Sequence, residues 1–476
     1  MKKKYDIAIL GWWYGVNYGS VLTYYGLKKA LEKLGYKVIM VHETLGYNAW
    51  RVQWSNDIMP VKFAKREEYN YTEQISKGNL EQLNDLADTF MIGSDQLWNP
   101  GVPRVNEDLF LKFVYDENQR ISYGTSISRG EEYFNNAWIN DFKASLDKFS
   151  GVSVREESAV KIIKKYTGVE AQKVVDPVFL LDKLDYESLA EKATYKFKGE
   201  FLTLFLLDPS QEKRKVVLEI SEKLNLTKIV IIPNPEKDIE IYQTIFDNDK
   251  FEILFDAKPE NMLNAFMKGQ YVITDSFHGT VFATIFEKPF SSFYNTIRGA
   301  ARFEELMELL KLGSSRKITE TMTLEDIQNS KEISFEIDYS EGLENLNQQR
   351  VRSMKWLVDT IEFKTNRSFE TKFISYLTNN TFRFRRRGEI GKTIASNVDF
   401  DKYGIVSGIQ GNNERYWKIK DGNLIIMNSE LKDTTIFKIN KNDIYFKKDN
   451  FQLTGTFIPN KEIEHILELN MDNNSI

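Results

Sequence analysis

Four short polar stretches, each directly after an apolar β-type run, hold the residue types that acid–base and anion chemistry require. In "TDSFHGTVFA" (274–283), His278 is one of only three histidines in the chain. It stands between Ser276 and a Gly279-Thr280 pair, where a strand-like run gives way to a helix-like one. Amides at a helix N-terminus favour an anion, and Gly279 would let it approach the backbone. The hydroxyls of Ser276 and Thr280 would add donors, and the His278 imidazole can carry charge or move a proton. The same residues equally suit a Ser276 cap and a packed histidine, and the residues alone leave these readings at even odds.

The other three stretches are similarly two-sided. "MIGSDQLWNP" crowds Ser94, Asp95, Gln96, Trp98 and Asn99; Asp95 could accept a proton from a hydroxyl or only cap its own loop. "SVREESAV" sets Arg155 at a strand end, as a clamp on phosphate or carboxylate or as an ordinary salt-bridge partner of Glu156 or Glu157. "GWWYGVNYGS" has three glycines in the wrong spacing for the dinucleotide fingerprint. Its Asn17 could line a ligand, and Trp12, Trp13 and Tyr14 could stack on a sugar, although packing is the commoner fate of such rings. Four such stretches at strand ends point to one shared cleft.

The elements that must position them alternate. Ile7–Leu10 reads as a strand, Leu27, Ala30, Leu31 and Leu34 recur at helical spacing, Gly35 is a stop, and Val38–Val41 is a second strand. The rhythm continues to "KVVDP" and restarts after Asp182 with "FLTLFLL" and "TKIVIIP". The expectation is α/β: two Rossmann-like domains, at 1–182 and 183–320, with ligands at the carboxyl ends of the strands. Residues 321–390 read as a helical and basic linker that includes "FRFRRR", and 391–476 as a small β-rich module with a hairpin turn at Asp421-Gly422.

Composition bounds the chemistry. The chain has 476 residues, 42% hydrophobic and 28% charged, with a net charge of −5, so nothing in the overall charge argues for nucleic acid. Cysteine is absent, which excludes disulfides, thiolate metal sites and a cysteine nucleophile; no metal site is expected. "MKKKYDIAILGWW" reads as a first strand rather than a leader, since Asp6 breaks the apolar run. No stretch is apolar enough to span a bilayer, and a cytoplasmic protein is expected.

"NYGSVLTYYGLKKAL", "IGSDQLWN", "VSVREESAV", "VVDPVFLL" and "TDSFHGTVFATIFEKPF" follow one another in an order that resembles the polysaccharide pyruvyl transferase family, over residues 5–316. The resemblance implies a glycosyltransferase-B-like pair of domains. It also implies transfer of the pyruvyl unit of phosphoenolpyruvate (PEP) to two hydroxyls of a sugar, with no cofactor beyond PEP as donor. By motif, His278 would meet the PEP phosphate or protonate the enol carbon, with Asp95 as the second catalytic group. Arg155, Arg302 and the Ser276, Gly279 and Thr280 backbone would form the anion pocket; Asn17, Trp13, Trp98 and Gln96 would face the acceptor. Many members carry an acidic residue where Ser20 stands here, so no base is assigned there, and the region after Gly404 lies outside the resemblance. A nucleotide-sugar glycosyltransferase and a non-catalytic glycan-binding protein are the competing readings. Arg383–Arg387 could touch an anionic inner membrane face bearing lipid-linked acceptors, or form a solvated basic segment.

Overall fold

Runs of β-branched and aromatic residues with no polar alternation, such as "LTLFL" and "IVIIP", suit strands covered on both faces, and such strands build the first unit. The computed structural model describes residues 3–42, 57–75, 77–100, 107–127, 134, 136–255, 258–294, 301–388, 393–401, 403–420, 422–439 and 451–470. Two compact units divide the chain, Met1–Thr360 and Ile361–Ile476.

The first unit contains two parallel six-stranded sheets. One comprises β1 (Tyr5–Leu10), β2 (Val38–Met40), β3 (Ala87–Ile92), β4 (Gln119–Thr125), β5 (Gly151–Val154) and β6 (Gln172–Lys173), in the order β2-β1-β3-β4-β5-β6. The other comprises β7 (Leu202–Leu206), β8 (Ile229–Pro233), β9 (Phe251–Ile253), β10 (Tyr271–Thr274), β11 (Phe290–Phe293) and β12 (Lys317–Ile318), in the order β12-β11-β10-β7-β8-β9. Both are doubly wound, as expected. The direction of winding reverses between β1 and β3 in the first sheet and between β7 and β10 in the second, and crevices for ligands open at such reversals.

One tyrosine links the two loops beside the first reversal. Tyr24, on the helix Tyr18–Lys33, accepts a hydrogen bond from Trp12 N (3.0 Å) and donates to Ser94 O (2.9 Å). It thus ties the loop after β1 to the loop after β3. Gly11 makes room for it: its φ is +148°, and a Cβ there would overlap the Tyr24 hydroxyl.

The second unit is an antiparallel eight-stranded sheet of β13 (Phe382–Arg386), β14 (Thr393–Phe400), β15 (Val406–Ser407), β16 (Tyr416–Lys420), β17 (Asn423–Met427), β18 (Asp433–Lys438), β19 (Gln452–Phe457) and β20 (Glu464–Leu469). Its order is β15-β14-β13-β20-β19-β18-β17-β16. Lys420 pairs with Asn423, so a two-residue turn joins β16 and β17 as expected; Asp421 itself lies outside the described residues.

Within the segment expected to be a helical and basic linker, the helix is present and the basic stretch differs. A helix spans Ser340–Thr378, and "FRFRR" is strand β13, paired on both sides. The physical reason is a period of two: Phe382 and Phe384 are buried in the sheet's core while alternate arginines face outward. Of these, Arg385 pairs with Glu468 (3.2 Å) and Arg387 with Glu464 (2.7 Å). Two of these arginines thus have acidic partners on the neighbouring strand segment. No helix among the described residues is long and apolar enough to cross a membrane.

Gly11 and Gly35 both have positive φ, but only Gly11 has a neighbour where a Cβ would go. Alanine at either site carries a conformational cost of about 1–3 kcal/mol. Gly11→Ala is expected to add about 1–3 kcal/mol of overpacking. Thermal unfolding followed by circular dichroism should therefore show a clearly larger loss for Gly11→Ala; equal losses would mean that Tyr24 yields without cost.

Candidate active site at the strand ends

The loop after β10 is held from both sides. Asp275, fully buried, accepts hydrogen bonds from Leu207 N (2.5 Å), Asp208 N (3.1 Å) and Lys213 Nζ (2.7 Å). This pins the loop to the end of β7. Ser276 then caps the helix Phe277–Ile285, its Oγ accepting from Gly279 N at 3.3 Å.

Three expected anion donors are used up inside this loop. Ser276 N donates to Thr274 Oγ1 (3.0 Å), Gly279 N to the cap, and Thr280 N to Ser276 O (3.0 Å). The Thr280 hydroxyl bonds Ser292 Oγ at 2.7 Å in the core. Gly279 is a glycine because a Cβ would strike Thr274, so it admits the preceding strand rather than a ligand. What remains for a ligand is the first turn, where Phe277 and His278 amides have no intrahelical acceptor.

His278 reaches the other sheet's elements. Its Nε2 lies 3.0 Å from Thr23 Oγ1, on the helix after β1, and 3.6 Å from Asp176 Oδ2. A side chain at Gly19 would collide with the Nδ1 edge of the ring. Asp176 follows β6 and caps the short turn Pro177–Leu180, its Oδ1 accepting from Val178 N at 3.2 Å. Its Oδ2 also receives Arg155 Nη1 at 2.5 Å. One carboxylate therefore holds an arginine and a histidine together.

Arg155 stands at the end of β5 with its guanidinium buried, and its Nε and Nη2 make no hydrogen bond. Nη2 lies 3.6 Å from Asp95 Oδ1. Burial works against both charges of the Arg155–Asp176 pair. The opposing partner outweighs it on each side: Asp176, then Asp95 and Glu156, hold Arg155 above its usual range, and Arg155 and His278 hold Asp176 well below the usual carboxylate range. The nearby Arg302 lies over the Phe277 ring, 5.2 Å from its centre. Burial, with Arg155's like charge, lowers its pKa to about 10. An anion between these two arginines would relieve that repulsion.

Asp95 adopts a left-handed backbone, φ +81°, unusual for a residue with a side chain. Its carbonyl accepts from Ser126 N (2.8 Å), its Oδ1 from Gln96 N (2.9 Å) and its Oδ2 from Ser20 Oγ (2.9 Å). Asp95 thus caps its own loop, and its carboxylate remains partly exposed. Asn17 caps the helix Tyr18–Lys33 through Gly19 N (2.8 Å) and donates from Nδ2 to Glu236 Oε2 (3.3 Å), a residue just past β8. Gln96 is half-buried and accepts from Asn99 Nδ2 at 2.8 Å.

Two expected acceptor residues are corrected. Trp13 is 1% exposed, its Nε1 donating to Val41 O, and Trp98 is 0% exposed, its Nε1 donating to Leu109 O. Both indoles are core side chains whose one polar atom is satisfied, so neither offers a face to a sugar. Thr23, Asp176 and Glu236 were not singled out from the sequence, and Ser20 was named only as a position to which no base is assigned. Asp176 carried a signal, an Asp-Pro pair after a β-type run, but one indistinguishable from a simple cap.

Residues 17–296 match the polysaccharide pyruvyl transferase family. That span is more than half of the chain and contains Asn17, Asp95, Arg155, Asp176 and His278; Arg302 falls beyond it. The chain belongs to the polysaccharide pyruvyl transferase family. No curated protein sequence is significantly similar to it. Among solved structures, the UDP-GlcNAc 2-epimerase of Methanocaldococcus jannaschii is similar at 14% identity, covering 73% of this chain and 99% of that one, with a TM-score of 0.46. The S. aureus MnaA–UDP co-structure gives 14%, 77%, 97% and 0.48. AviGT4, a glycosyltransferase involved in avilamycin A biosynthesis, gives 12%, 75%, 97% and 0.41.

Removing one partner from a buried ion pair leaves an uncompensated charge, at a cost of about 3–5 kcal/mol, whereas replacing both partners by apolar residues is often neutral. Asp176→Asn is therefore expected to lose far more stability in urea unfolding than Arg155→Met/Asp176→Leu. Because Asp176 has a folded-state pKa below its unfolded value of about 3.9, its contribution is complete above that pH and fades as pH falls further. The wild-type acid-unfolding branch should accordingly be steeper than that of Asp176→Asn.

Proposed function

We propose that the protein transfers the pyruvyl unit of PEP to two hydroxyls of one sugar in a surface or capsular polysaccharide, or its lipid-linked precursor. The product is a cyclic ketal, and phosphate is released. The observation that carries this reading is a buried arginine with two nitrogens, Nε and Nη2, that make no hydrogen bond, sharing a carboxylate with a histidine at facing strand ends. An anion holder and a proton-transfer group lie side by side, which is what an anionic enol ester needs. The reaction is assigned to the cytoplasm, where PEP is available.

The chemistry divides among these groups. Arg155 and Arg302 take the carboxylate and phosphate of PEP, with the Phe277 and His278 amides as further donors. His278 gives a proton to the methylene carbon; the double-bond electrons form the new C–H bond and leave an oxocarbenium at the central carbon. The first sugar hydroxyl adds there and passes its proton to Asp95. The C–O bond to phosphate then breaks, and the second hydroxyl closes the ring. Two hydroxyl protons are lost overall: one replaces the proton delivered to carbon, and the other leaves with phosphate. Asn17 and Gln96 stand on the acceptor side of this scheme.

Phosphate release from PEP is expected to depend on a glycan acceptor, measured over galactose-, mannose- and N-acetylhexosamine-terminated substrates. His278→Ala should slow it by about 10²-fold or more, the usual worth of a positioned acid. In thermal-shift measurements PEP should stabilise the wild type and not Arg155→Met. Stabilisation by UDP or GDP with none by PEP would replace this reading with a nucleotide-sugar donor.

A further inference from the structure

The two nitrogens of His278 face different surroundings. Nε2 points inward, 3.0 Å from Thr23 Oγ1 and 3.6 Å from Asp176 Oδ2. Thr23 is 1% exposed and Asp176 5% exposed, so no bulk water screens this side. Nδ1 lies on the Gly19 side of the ring, packed so closely that a Cβ at position 19 would overlap it, and it makes no hydrogen bond among the described residues.

The carboxylate decides the tautomer. Asp176 stays ionised because Arg155 holds it so, and an ionised carboxylate can only accept. A bare Nε2 would aim its lone pair at that negative oxygen, whereas an Nε2–H aims a donor at it. The Thr23 hydroxyl accepts from the same N–H and remains free to donate onward. Orientation of an imidazole by a buried carboxylate on one nitrogen leaves the other nitrogen to do chemistry.

We infer that His278 works through Nδ1, and that Thr23 and Asp176 are positioning residues which fix the Nε2–H tautomer. The inference rests on the pyruvyl-transfer reading and narrows it: the proton for the methylene carbon of PEP leaves from Nδ1, and Asp176 stabilises the imidazolium that precedes it. Glycine at position 19 is what lets the ring sit in this orientation, since any side chain there would displace the Nδ1 edge.

With three histidines in the chain, 15N-histidine labelling of the full-length protein gives three ring systems, and His278→Gln identifies the relevant one. In the wild type, above the midpoint of that ring's own titration, Nε2 should show a protonated, pyrrole-type shift and Nδ1 an unprotonated, pyridine-type shift. The reverse pattern overturns the inference. Thr23→Val, which keeps the shape of the side chain, should lower kcat about tenfold with KM for PEP unchanged, and should mix the two tautomers in the spectrum. Thr23→Ser should restore both readouts; a serine variant that behaves like valine removes Thr23 from the device. PEP added to the wild type should move Nδ1 more than Nε2, and a larger response at Nε2 again overturns the assignment. Failure of the pyruvyl-transfer reading would look different: no acceptor panel releases phosphate and PEP leaves all three rings undisturbed.

Discussion

The architecture of the candidate site hangs on one buried carboxylate. Asp176 accepts Arg155 through one oxygen, shares that oxygen's field with His278, and caps a turn with the other. Placing an arginine and a carboxylate away from water is expensive, and their attraction offsets the cost only when geometry is tight and the remaining donors and acceptors are met. Here they are not all met: two guanidinium nitrogens, Nε and Nη2, make no hydrogen bond. A fold optimised only for stability would have no reason to keep them so. The shortfall is the physical content of the claim that a ligand belongs there.

The rest of the first unit brings its parts to that carboxylate from both sheets. Arg155 and Asp176 come from the far strands of the first sheet, and His278 comes from the switch point of the second. Each is fixed by an internal polar contact rather than by apolar packing alone. Tyr24 ties two loops of the first crevice, and the Lys213–Asp275 pair pins the histidine loop. Gly11 and Gly279 mark close approaches by neighbouring side chains, not by ligands. Several residues that resemble a binding motif in sequence are thus the supports of a site whose working groups are few.

The β module follows simpler rules. Strands β13 and β19 alternate more and less buried residues with a period of two, and the module's core includes Phe382, Phe384, Trp417, Leu424, Phe437 and Leu467. The arginine-rich stretch misled because four arginines within six residues read as a solvated run. The phenylalanines between them mattered more, since burying two aromatic rings stabilises far more than hydrating the flanking charges. Such stretches are better judged by which residues alternate than by how many are charged.

By itself the sequence determined the two parallel sheets, the strand-end placement of Asp95, Arg155 and His278, and the family, because each depends on local apolar runs and on ordered motifs. It could not separate Trp13 and Trp98 from ligand-facing aromatics: burial is a property of the packed assembly, and both indoles read the same from either side. Nor could it tell that the amides around Ser276 are consumed within their own loop. Only the tertiary structure decided these points, and only it joined Asp176 and Thr23 to a histidine distant in sequence. The reason is that a hydrogen-bond partner across two sheets leaves no periodic trace in the chain.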